Sequence, residues 1–350
     1  MNSITLTLAE LSTFVTAPDD LKQAVRSYAK DHRFLGLCTV EHPHKGHLVF
    51  IEQTEKLEKL LALKDRLSDL GGVLVEKKLS QQLSQQLSGL LPPHLPIIAI
   101  ANAKELFINL LAYFNPYKED YKKWLSSSQA KLKLGQRVHI APYVTCGENV
   151  HCGDDVVMMG HNVIGSDVQI GSRVKLYPGV IIHAGTIIGD DTIIHAGSII
   201  GSDGFGYHPT SKGLLKIPQI GHVVVGMKVE IGSNVTIDRG TLDATRLEDH
   251  VKIDNLVQIA HNVTIGAGTI IIAQAGIAGS STLGRQVVLA GQVGVADHAV
   301  LEDGVQIGAQ AGVMPNQVIP AGAKLVGSPC IPYKEFFRRE ALLRKRLLSK

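Results

Sequence analysis

Aliphatic side chains recur every six residues through most of the chain between residues 134 and 325. The first uninterrupted series has twelve members, from Leu134 to Ile200, if Cys and Met count as apolar. The series resumes at Val225, Ile231 and Ile237 and then has fourteen further members from Leu247 to Leu325. Units such as IGSDVQ and IGDDTI place an aliphatic residue, a small residue and two turn formers in succession, which predicts a short strand followed by a turn.

A six-residue unit cannot bury its apolar side alone, so successive units must wrap into coils that stack on one another. The repeat therefore predicts a parallel β-solenoid. The six-residue period resembles that of the left-handed parallel β-helix, in which three units complete a triangular coil, a departure from the usual right-handed crossover. The 29 units of this chain predict nearly ten coils. At about 4.8 Å per coil, the column would be roughly 45 to 50 Å long.

Two segments interrupt the period. Residues 203–220 contain glycines, Pro209, Pro218 and two aromatic residues, and are expected to leave the column as an exposed loop. Residues 241–246 are expected to form a smaller bulge.

The rest of the chain follows other patterns. Residues 1–117 alternate apolar runs (HLVFI, GGVLVE, LPIIAIA) with helical stretches that follow capping-box patterns at Thr7–Glu10 and Asn102–Glu105, which predicts a small α/β domain. Residues 118–133 are expected to be a linker, residues 134–330 the β-helix, and residues 331–350 a short basic amphipathic helix with Phe336, Phe337, Leu342, Leu343 and Leu347 on one stripe.

Composition narrows the class of protein. The chain is 45% hydrophobic and 19% charged, as in an ordinary globular protein, and its 35 glycines fit regular tight turns. It has no secretory leader pattern and no run of eighteen apolar residues, so we expect a cytoplasmic protein without a transmembrane segment. The four cysteines form no C-x-x-C pair, and Cys146 and Cys152 occupy positions of the repeat that should be buried, so we interpret them as packing residues.

Several motifs together resemble one family. The resemblance is carried by the α/β head and by four segments in this order: GSDGFGY, KIPQIG, VEIGSNVTIDRGTL and KIDNLVQIAHNV. Together they resemble the UDP-3-O-acylglucosamine N-acyltransferases, which act in the biosynthesis of lipid A. Lipid A is the lipid anchor of lipopolysaccharide. The resemblance implies transfer of a 3-hydroxyacyl chain from acyl carrier protein to the 2-amino group of UDP-3-O-acyl-glucosamine. It also implies a homotrimer, and no cofactor beyond the phosphopantetheine thioester of the carrier.

His261 is the candidate catalytic base. Aminolysis of a thioester requires a base for the amine proton and a hydrogen-bond donor for the oxyanion, and histidine suits the first role near neutral pH. With three units per coil, Gly279 lies one coil over His261 and Asp297 lies two coils over it, which places His298 at the same corner. The Gly279 N–H is therefore the candidate oxyanion donor. The resemblance implies the same catalytic role for His261 and a functional role for His298. The alternative is that both are surface histidines on a turn.

Other candidate site residues come from the same segment and from the head. Asp254 is a candidate for orienting the imidazole, unless it merely fills a polar turn position, and Asn255 and Gln258 are candidate substrate-binding residues. The family stacks uracil on an aromatic residue of a GHxxF segment, which implies Phe50 here, although Phe50 alone would suit a core strand. Gln53 retains a hydrogen-bonding group where the family often has Asn, whereas Lys56 replaces a stacking Tyr and could instead meet a phosphate.

Two further features concern the length of the acyl chain and the binding partner. Ala309, Ala311 and Gly312 are small residues that could leave a groove open for a long acyl chain. Residues 332–350 carry seven Lys and Arg against two Glu, within a chain of net charge +3. Because acyl carrier proteins are acidic, Arg338, Arg339 and Arg344 are candidate docking residues, the alternative being a solvated helix with positive charge near its C-terminus. The apolar stripe makes nucleic-acid binding a poor alternative.

Three other functions fit part of the sequence. A hexapeptide-type carbonic anhydrase requires a histidine pair five residues apart, and no two histidines of the repeat region have that spacing, so no metal site is expected. An acetyl-CoA-dependent enzyme acting on another nucleotide amino sugar, or a paralogue with altered acyl choice, remains open. A catalytically silent scaffold is the third possibility.

Overall fold

The computed structural model describes residues 5–14, 28–29, 31–62, 64–79, 95–118 and 132–348. The chain divides into two compact units. The head unit consists of Met1–Lys118 and Gly206–Ile220, and the column unit of Glu119–Phe205 and Gly221–Lys350. Most of the predicted linker, residues 119–131, lies outside the described residues.

The column unit is a parallel β-solenoid, as the six-residue period predicts. Each strand pairs in parallel with the strand one coil further on, for example His151 with Gln169 and Cys152 with Ile170. The coil has three faces, with ten, ten and nine of these parallel strands, which accounts for all 29 predicted units.

The strands of each face are as follows. The first face contains Lys133–Leu134, His151–Cys152, Gln169–Ile170, Ile187–Ile188, His222–Val225, Ala244–Leu247, Thr264–Ile265, Thr282–Leu283, Val300–Leu301 and Val318–Ile319. The second face contains His139–Ile140, Val157–Met158, Lys175–Leu176, Ile193–Ile194, Glu230–Ile231, Lys252–Ile253, Ile270–Ile271, Val288–Leu289, Gln306–Ile307 and Lys324–Val326, and ends in the antiparallel Ile331–Pro332. The third face contains Thr145–Cys146, Val163–Ile164, Ile181–Ile182, Ile199–Ser202, Thr236–Asp238, Gln258–Ile259, Gly276–Ile277, Gly294–Val295 and Gly312–Val313.

The interior of the column is built from the repeated aliphatic position. Ile182, Ile194 and Ile200 are fully buried, and their counterparts in almost every coil belong to the same continuous core. Cys152 is buried and Cys146 is partly buried against this core, which confirms that they are packing residues. Burial raises the pKa of the Cys152 thiol to about 12 and that of Cys146 to about 11, so both thiols stay protonated and unreactive at neutral pH.

The corners turn through left-handed backbone conformations. Asn262 has φ +60° and His298 has φ +56°, and polar residues or glycine hold most of the equivalent corner positions. These residue types accept a positive φ more easily than branched apolar residues do, which explains the polar positions of the repeat.

The two interruptions take different forms. Residues 203–220 are not the simple exposed loop that was predicted, because Tyr207–Thr210 and Gly213–Lys216 form an antiparallel hairpin that belongs to the head unit. The glycines and prolines of this segment indicate turns but not the short strands between them. The bulge near residue 241 is confirmed: Ile231 pairs with Ile253, so this coil has four extra residues.

The head unit is α/β, as predicted. Its parallel sheet has the strand order Gly36–Cys38, His47–Ile51, Gly72–Glu76 and Ile97–Ile100, and Leu6–Thr7 pairs antiparallel with Arg33–Phe34. The helices are Leu8–Leu11, Thr54–Ala62 and Ala103–Phe114, with 3-10 turns at Ser12–Phe14, Lys64–Asp69 and Lys77–Leu79.

Only one of the two predicted capping boxes forms. The Thr7 N–H donates to Glu10 Oε2 at 2.8 Å and the Glu10 N–H donates to Thr7 Oγ1 at 3.2 Å, which is the reciprocal pattern. The Asn102 side chain makes no capping hydrogen bond to the helix that follows it. The residue spacing of a capping box is therefore not sufficient on its own to predict that its hydrogen bonds form.

The C-terminal helix spans Tyr333–Leu348. Phe336 is half-buried near Gly327, whereas Phe337, Leu342, Leu343 and Leu347 are exposed. Within the described residues, no helix combines the length and apolarity that a bilayer crossing requires.

Candidate functional site

His261 occupies the turn between Gln258–Ile259 of the third face and Thr264–Ile265 of the first face. The Ser280 N–H donates to the His261 carbonyl at 2.9 Å, and the His298 N–H donates to the Gly279 carbonyl at 3.2 Å. The structure thus stacks His261, Gly279 and His298 at one corner in successive coils, as the residue spacing predicts. The chemical roles of these residues stay predictions.

The His261 imidazole lies between two glycines. A methyl group at Gly279 would lie 2.6 Å from His261 Cε1 and 2.8 Å from Nε2. On the other side, a methyl group at Gly204 would lie 2.7 Å from both Cβ and Cδ2. Gly204 was not recognised as a site residue from the sequence, because it belongs to the GSDGFGY segment more than fifty positions earlier. Neither glycine can be replaced without displacing the ring.

Burial and charge favour the neutral form of this imidazole. Desolvation of the half-buried ring, and secondly the nearby His298, hold the pKa of His261 below its ordinary value of 6.5. A neutral histidine has a nitrogen lone pair that can accept a proton, so this environment suits a base at neutral pH.

Asn262 controls which nitrogen of the ring is free. Its Oδ1 accepts a hydrogen bond from the Thr241 N–H at 2.8 Å, and its Nδ2 lies 3.2 Å from Thr241 Oγ1 and 3.0 Å from His261 Nδ1. Because an amide nitrogen can only donate, Nδ1 accepts and the proton of the neutral ring lies on Nε2. Turning the Asn262 amide over would offer Oδ1 to an Nδ1–H and free the lone pair of Nε2, at the expense of the bond to the Thr241 N–H.

The Gly279 N–H is available as a donor. Within the parts of the chain that the structure describes, it has no hydrogen-bond acceptor. A backbone donor beside an imidazole is the arrangement that a tetrahedral oxyanion requires.

A cavity of about 650 Å³ opens on the outer side of the third face, next to this corner. Gly276 and Gly294 pair in register and both line it, so two neighbouring strands present no side chain outward at this position. The three small residues predicted for an acyl groove do not line this cavity. Ala311 is buried inside the column, Ala309 is exposed elsewhere, and a methyl group at Gly312 would lie 2.9 Å from Ser328 Oγ.

The end of this cavity nearest Phe205 is polar. Gln258 lines it and donates through Nε2 to Asp238 Oδ2 at 3.1 Å, and Asp238 Oδ1 accepts from Ser202 Oγ at 2.9 Å. Thr236 Oγ1 also contacts Gln258 Oε1. Desolvation of the buried carboxyl raises the pKa of Asp238, against the lowering effect of these two donors. Gln258 was anticipated from the sequence, whereas Asp238 was not.

Comparison with known proteins identifies the family. Residues 163–202 match the bacterial transferase hexapeptide (six repeats) family. UDP-3-O-acylglucosamine N-acyltransferase 1 of Francisella tularensis is 36% identical over 250 residues, which cover 70% of this chain and 68% of that protein. This chain belongs to the UDP-3-O-acylglucosamine N-acyltransferase family.

Other similarities cover less of this chain. The UDP-3-O-acylglucosamine N-acyltransferase of Granulibacter bethesdensis is 49% identical over 180 residues, 51% of this chain and 47% of that protein. The chain therefore spans about half of this family member. Among solved structures, a UDP-N-acetylglucosamine acyltransferase from Campylobacter jejuni has 24% identity and a TM-score of 0.49, over 56% of this chain and 73% of that one.

Asp254 and Asn255 lie at a different corner from His261. They follow Lys252–Ile253 of the second face and line a separate cavity of about 530 Å³. Asp254 Oδ1 accepts from the Asn255 N–H at 2.8 Å, and Oδ2 accepts from the Ala273 N–H at 3.2 Å. Within one copy of the chain, Asp254 therefore serves the turn and does not orient the imidazole of His261.

The nucleotide residues that the family implies are placed less favourably. Phe50 is buried, with its ring stacked on Phe107 at a centroid distance of 4.7 Å, so one face of the ring is already occupied within the head unit. This packing favours a core role for Phe50. Gln53 is exposed and Lys56 is half-buried at the start of the helix after that strand, where both can reach a ligand of the head.

The candidate docking arginines lie on the C-terminal helix. Arg338, Arg339 and Arg344 are exposed, and Arg339 makes a long 3.8 Å contact to Glu335. Arg339 also lines a cavity of about 560 Å³ with Leu342, Leu343 and Arg346. An exposed basic helix beside an apolar recess is thus available at this end of the column unit.

In the described residues, no group of three or more His, Cys, Asp or Glu side chains is arranged to hold a metal ion. In the column unit, His195 Nε2 lies 3.2 Å from Glu230 Oε1, and Lys252 Nζ lies 3.6 Å from the other oxygen of the same carboxylate.

Proposed function

We propose that this chain transfers a 3-hydroxyacyl group from acyl carrier protein to the 2-amino group of UDP-3-O-acyl-glucosamine, in lipid A biosynthesis. The observation that carries the proposal is the meeting, at the rim of an open groove, of a half-buried His261 whose pKa is lowered with a Gly279 N–H that has no acceptor among the described residues. Membership of the N-acyltransferase family supports the choice of substrates.

The chemistry needs three events at this corner. The amine nitrogen attacks the thioester carbonyl carbon, so that a C–N bond forms and the carbonyl oxygen becomes an oxyanion beside the Gly279 N–H. His261 takes the amine proton. When the C–S bond breaks, the protonated imidazole returns that proton to the phosphopantetheine sulfur, and the products are an amide and a free carrier thiol.

Base catalysis at Nε2 also requires a change at Asn262. In the observed arrangement Asn262 Nδ2 faces Nδ1, which leaves the proton on Nε2. We therefore propose that the Asn262 amide turns over when substrate binds, so that Oδ1 supports an Nδ1–H. The bond to the Thr241 N–H that is lost is a small penalty compared with a catalytic gain of several orders of magnitude.

The groove on the third face suits the acyl chain. Its outward glycines at two neighbouring strands, Gly276 and Gly294, expose flat backbone over a distance of roughly 5 Å, since strands are about 4.8 Å apart. Apolar contacts from Val295, Ala296 and Val313 line the same space. Such a surface accommodates an extended hydrocarbon chain, so we expect a preference for longer acyl groups.

A second copy of the chain completes the site in this proposal. The groove is open on one side, and Asp254 and Asn255 lie at another corner beside a separate cavity. In a homotrimer, the corner of one subunit that carries Asp254 would face the His261 corner of the next, which closes the groove and restores the predicted pairing. Coexpression of His261→Ala and Asp254→Ala chains tests this: mixed trimers should recover part of the activity that each parent lacks.

The basic helix is the proposed carrier-docking element. Arg338, Arg339 and Arg344 are exposed, and a positive surface increases the rate of encounter with an acidic carrier. Reversal of charge at these three positions should raise KM for the acylated carrier, with a smaller effect at high ionic strength, whereas kcat should change little.

The decisive experiment offers the enzyme two donors. Purified protein is incubated with UDP-3-O-acyl-glucosamine and either 3-hydroxyacyl-carrier protein or acetyl-CoA, and the product is analysed by mass spectrometry. The proposal expects an amide-linked 3-hydroxyacyl group with the carrier donor only. Exclusive use of acetyl-CoA would support the alternative enzyme class, and no transfer from either donor would contradict the proposal.

A further inference from the structure

Phe205 is an exposed aromatic residue beside the candidate site. Its side chain is 86% exposed, yet it lines the cavity beside the His261 corner, and its neighbour Gly204 packs directly on the His261 ring. An exposed ring is not unusual in itself, but this ring lines a cavity beside the proposed reaction centre, where aromatic side chains form part of many ligand sites. The Phe205 ring therefore lies beside the proposed reaction centre, because Gly204, the preceding residue, packs on His261.

Asp238 lies at the same end of the cavity and is a buried acid. It is 8% exposed and accepts hydrogen bonds from Ser202 Oγ and Gln258 Nε2. A carboxylate offers about four acceptor positions, so the two donors Ser202 and Gln258 leave capacity for a ligand. Its partners also hold it in one orientation, which a specific polar contact requires.

The register of the third face separates two halves of the cavity. Ile237 pairs with Ile259 and Ile259 pairs with Ile277, so Asp238 lies beside Ala260, one strand before the level of His261 and two strands before the level of Gly279. Beyond that level the groove is lined by Gly294, Ala296 and Val313 and is apolar. The acyl chain of the thioester suits the apolar half, and the attacking amine must then approach His261 from the half that contains Asp238.

We infer that Phe205 and Asp238 form the subsite for the amino-sugar ring of the acceptor, with the Phe205 ring against the C–H face of the sugar and the Asp238 carboxylate accepting a hydrogen bond from its 2-amino group. An aromatic face beside a carboxylate and an amide matches a pyranose, which has apolar C–H faces and polar groups around its edge. The inference rests on the proposed function and assigns two residues that its chemistry does not use.

The test separates acceptor binding from donor binding. KM for UDP-3-O-acyl-glucosamine and KM for the 3-hydroxyacyl-carrier protein are measured for Phe205→Ala, Phe205→Tyr and Asp238→Asn. Phe205→Ala and Asp238→Asn should raise the acceptor KM about tenfold or more and leave the donor KM unchanged. Phe205→Tyr keeps the ring and should behave like the unaltered enzyme. Tyr143→Ala, which removes another exposed aromatic residue of the column unit, is the matched control.

A competition assay tests the amine contact itself. The acceptor analogue with a 2-hydroxyl in place of the 2-amino group is used as an inhibitor. Asp238→Asn should narrow the difference in affinity between the acceptor and this analogue. The reason is that the Asp238 carboxylate should bind the 2-amino group, which is more basic, more tightly than the 2-hydroxyl group. Circular dichroism melting of each variant verifies the fold.

The outcomes keep the two claims apart. If the unaltered enzyme transfers no acyl group to the acceptor, the proposed function fails. If it does transfer, but folded Phe205→Ala and Asp238→Asn change only kcat or the donor KM, or leave the analogue ratio as it was, the sugar subsite is wrong and the proposed function stands.

Discussion

The backbone of Gly279 covers the His261 imidazole so closely that a methyl group there would lie 2.6 Å from Cε1. Contacts of that length do not occur between real carbon atoms, so the ring and the glycine define each other's position. This relationship places the proposed base and the proposed oxyanion donor within one coil spacing.

Gly279→Ala should therefore damage catalysis more than stability. The added methyl group would push the imidazole away from its place, whereas the backbone N–H is retained, so we expect kcat/KM to fall by about 10² or more because the base is no longer positioned. Steady-state kinetics with the carrier-bound donor measure the effect.

Gly276→Ala is the matched control for this change. A methyl group at Gly276 meets no atom within 4 Å, so the fold should tolerate it, although the methyl group would project into the groove. We expect near-normal turnover of short acyl groups and reduced turnover of long ones. Equal loss for all chain lengths in both variants would contradict the assignment of the groove.

The pH profile should respond to His298. Burial and then His298 lower the pKa of His261, and the base must be neutral to act, so the acid limb of kcat/KM should lie below pH 6.5. His298→Asn retains a residue that accepts the left-handed backbone and removes one source of positive charge. The acid limb should then move to higher pH, while remaining below the unperturbed value because burial is unchanged. A limb that stays in place would show that His298 has no electrostatic effect on the base.

Asn262→Asp tests the tautomer argument. A carboxylate can accept from the Thr241 N–H with one oxygen and from a His261 Nδ1–H with the other, so it should hold the proton on Nδ1 without any turn of the side chain. Nitrogen-15 NMR of labelled histidine should show the Nε2–H form in the unaltered, ligand-free protein and the Nδ1–H form in the variant. The variant should also keep activity, whereas Asn262→Ala should lose most of it.

The sequence predicts the fold well and the site in part. The six-residue period specifies the register, because a slip by one residue would place Ile182 or Ile194 outside the core, and the same register stacks Gly279 over His261. Contacts between distant segments do not follow from the period: Gly204 reaches His261 and Ser202 reaches Asp238 only because the coil before the hairpin ends at that corner.

Two placements do not follow from the sequence. Asp254 is close to His261 along the chain, but the residues between them carry the backbone around a corner of the coil, so within one copy of the chain the two side chains lie at different corners. Ala311 has the right size for a groove but faces the interior, because adjacent residues of a strand point to opposite sides.

The most direct measurement of the central claim is the rate of amide formation by His261→Ala, with 3-hydroxyacyl-carrier protein and UDP-3-O-acyl-glucosamine as substrates. The account predicts a fall of about 10² to 10⁴ in kcat, the usual contribution of a general base. It also predicts partial recovery on addition of imidazole, which can enter the space left between Gly204 and Gly279. A folded His261→Ala protein that forms the amide at the unaltered rate would contradict the account.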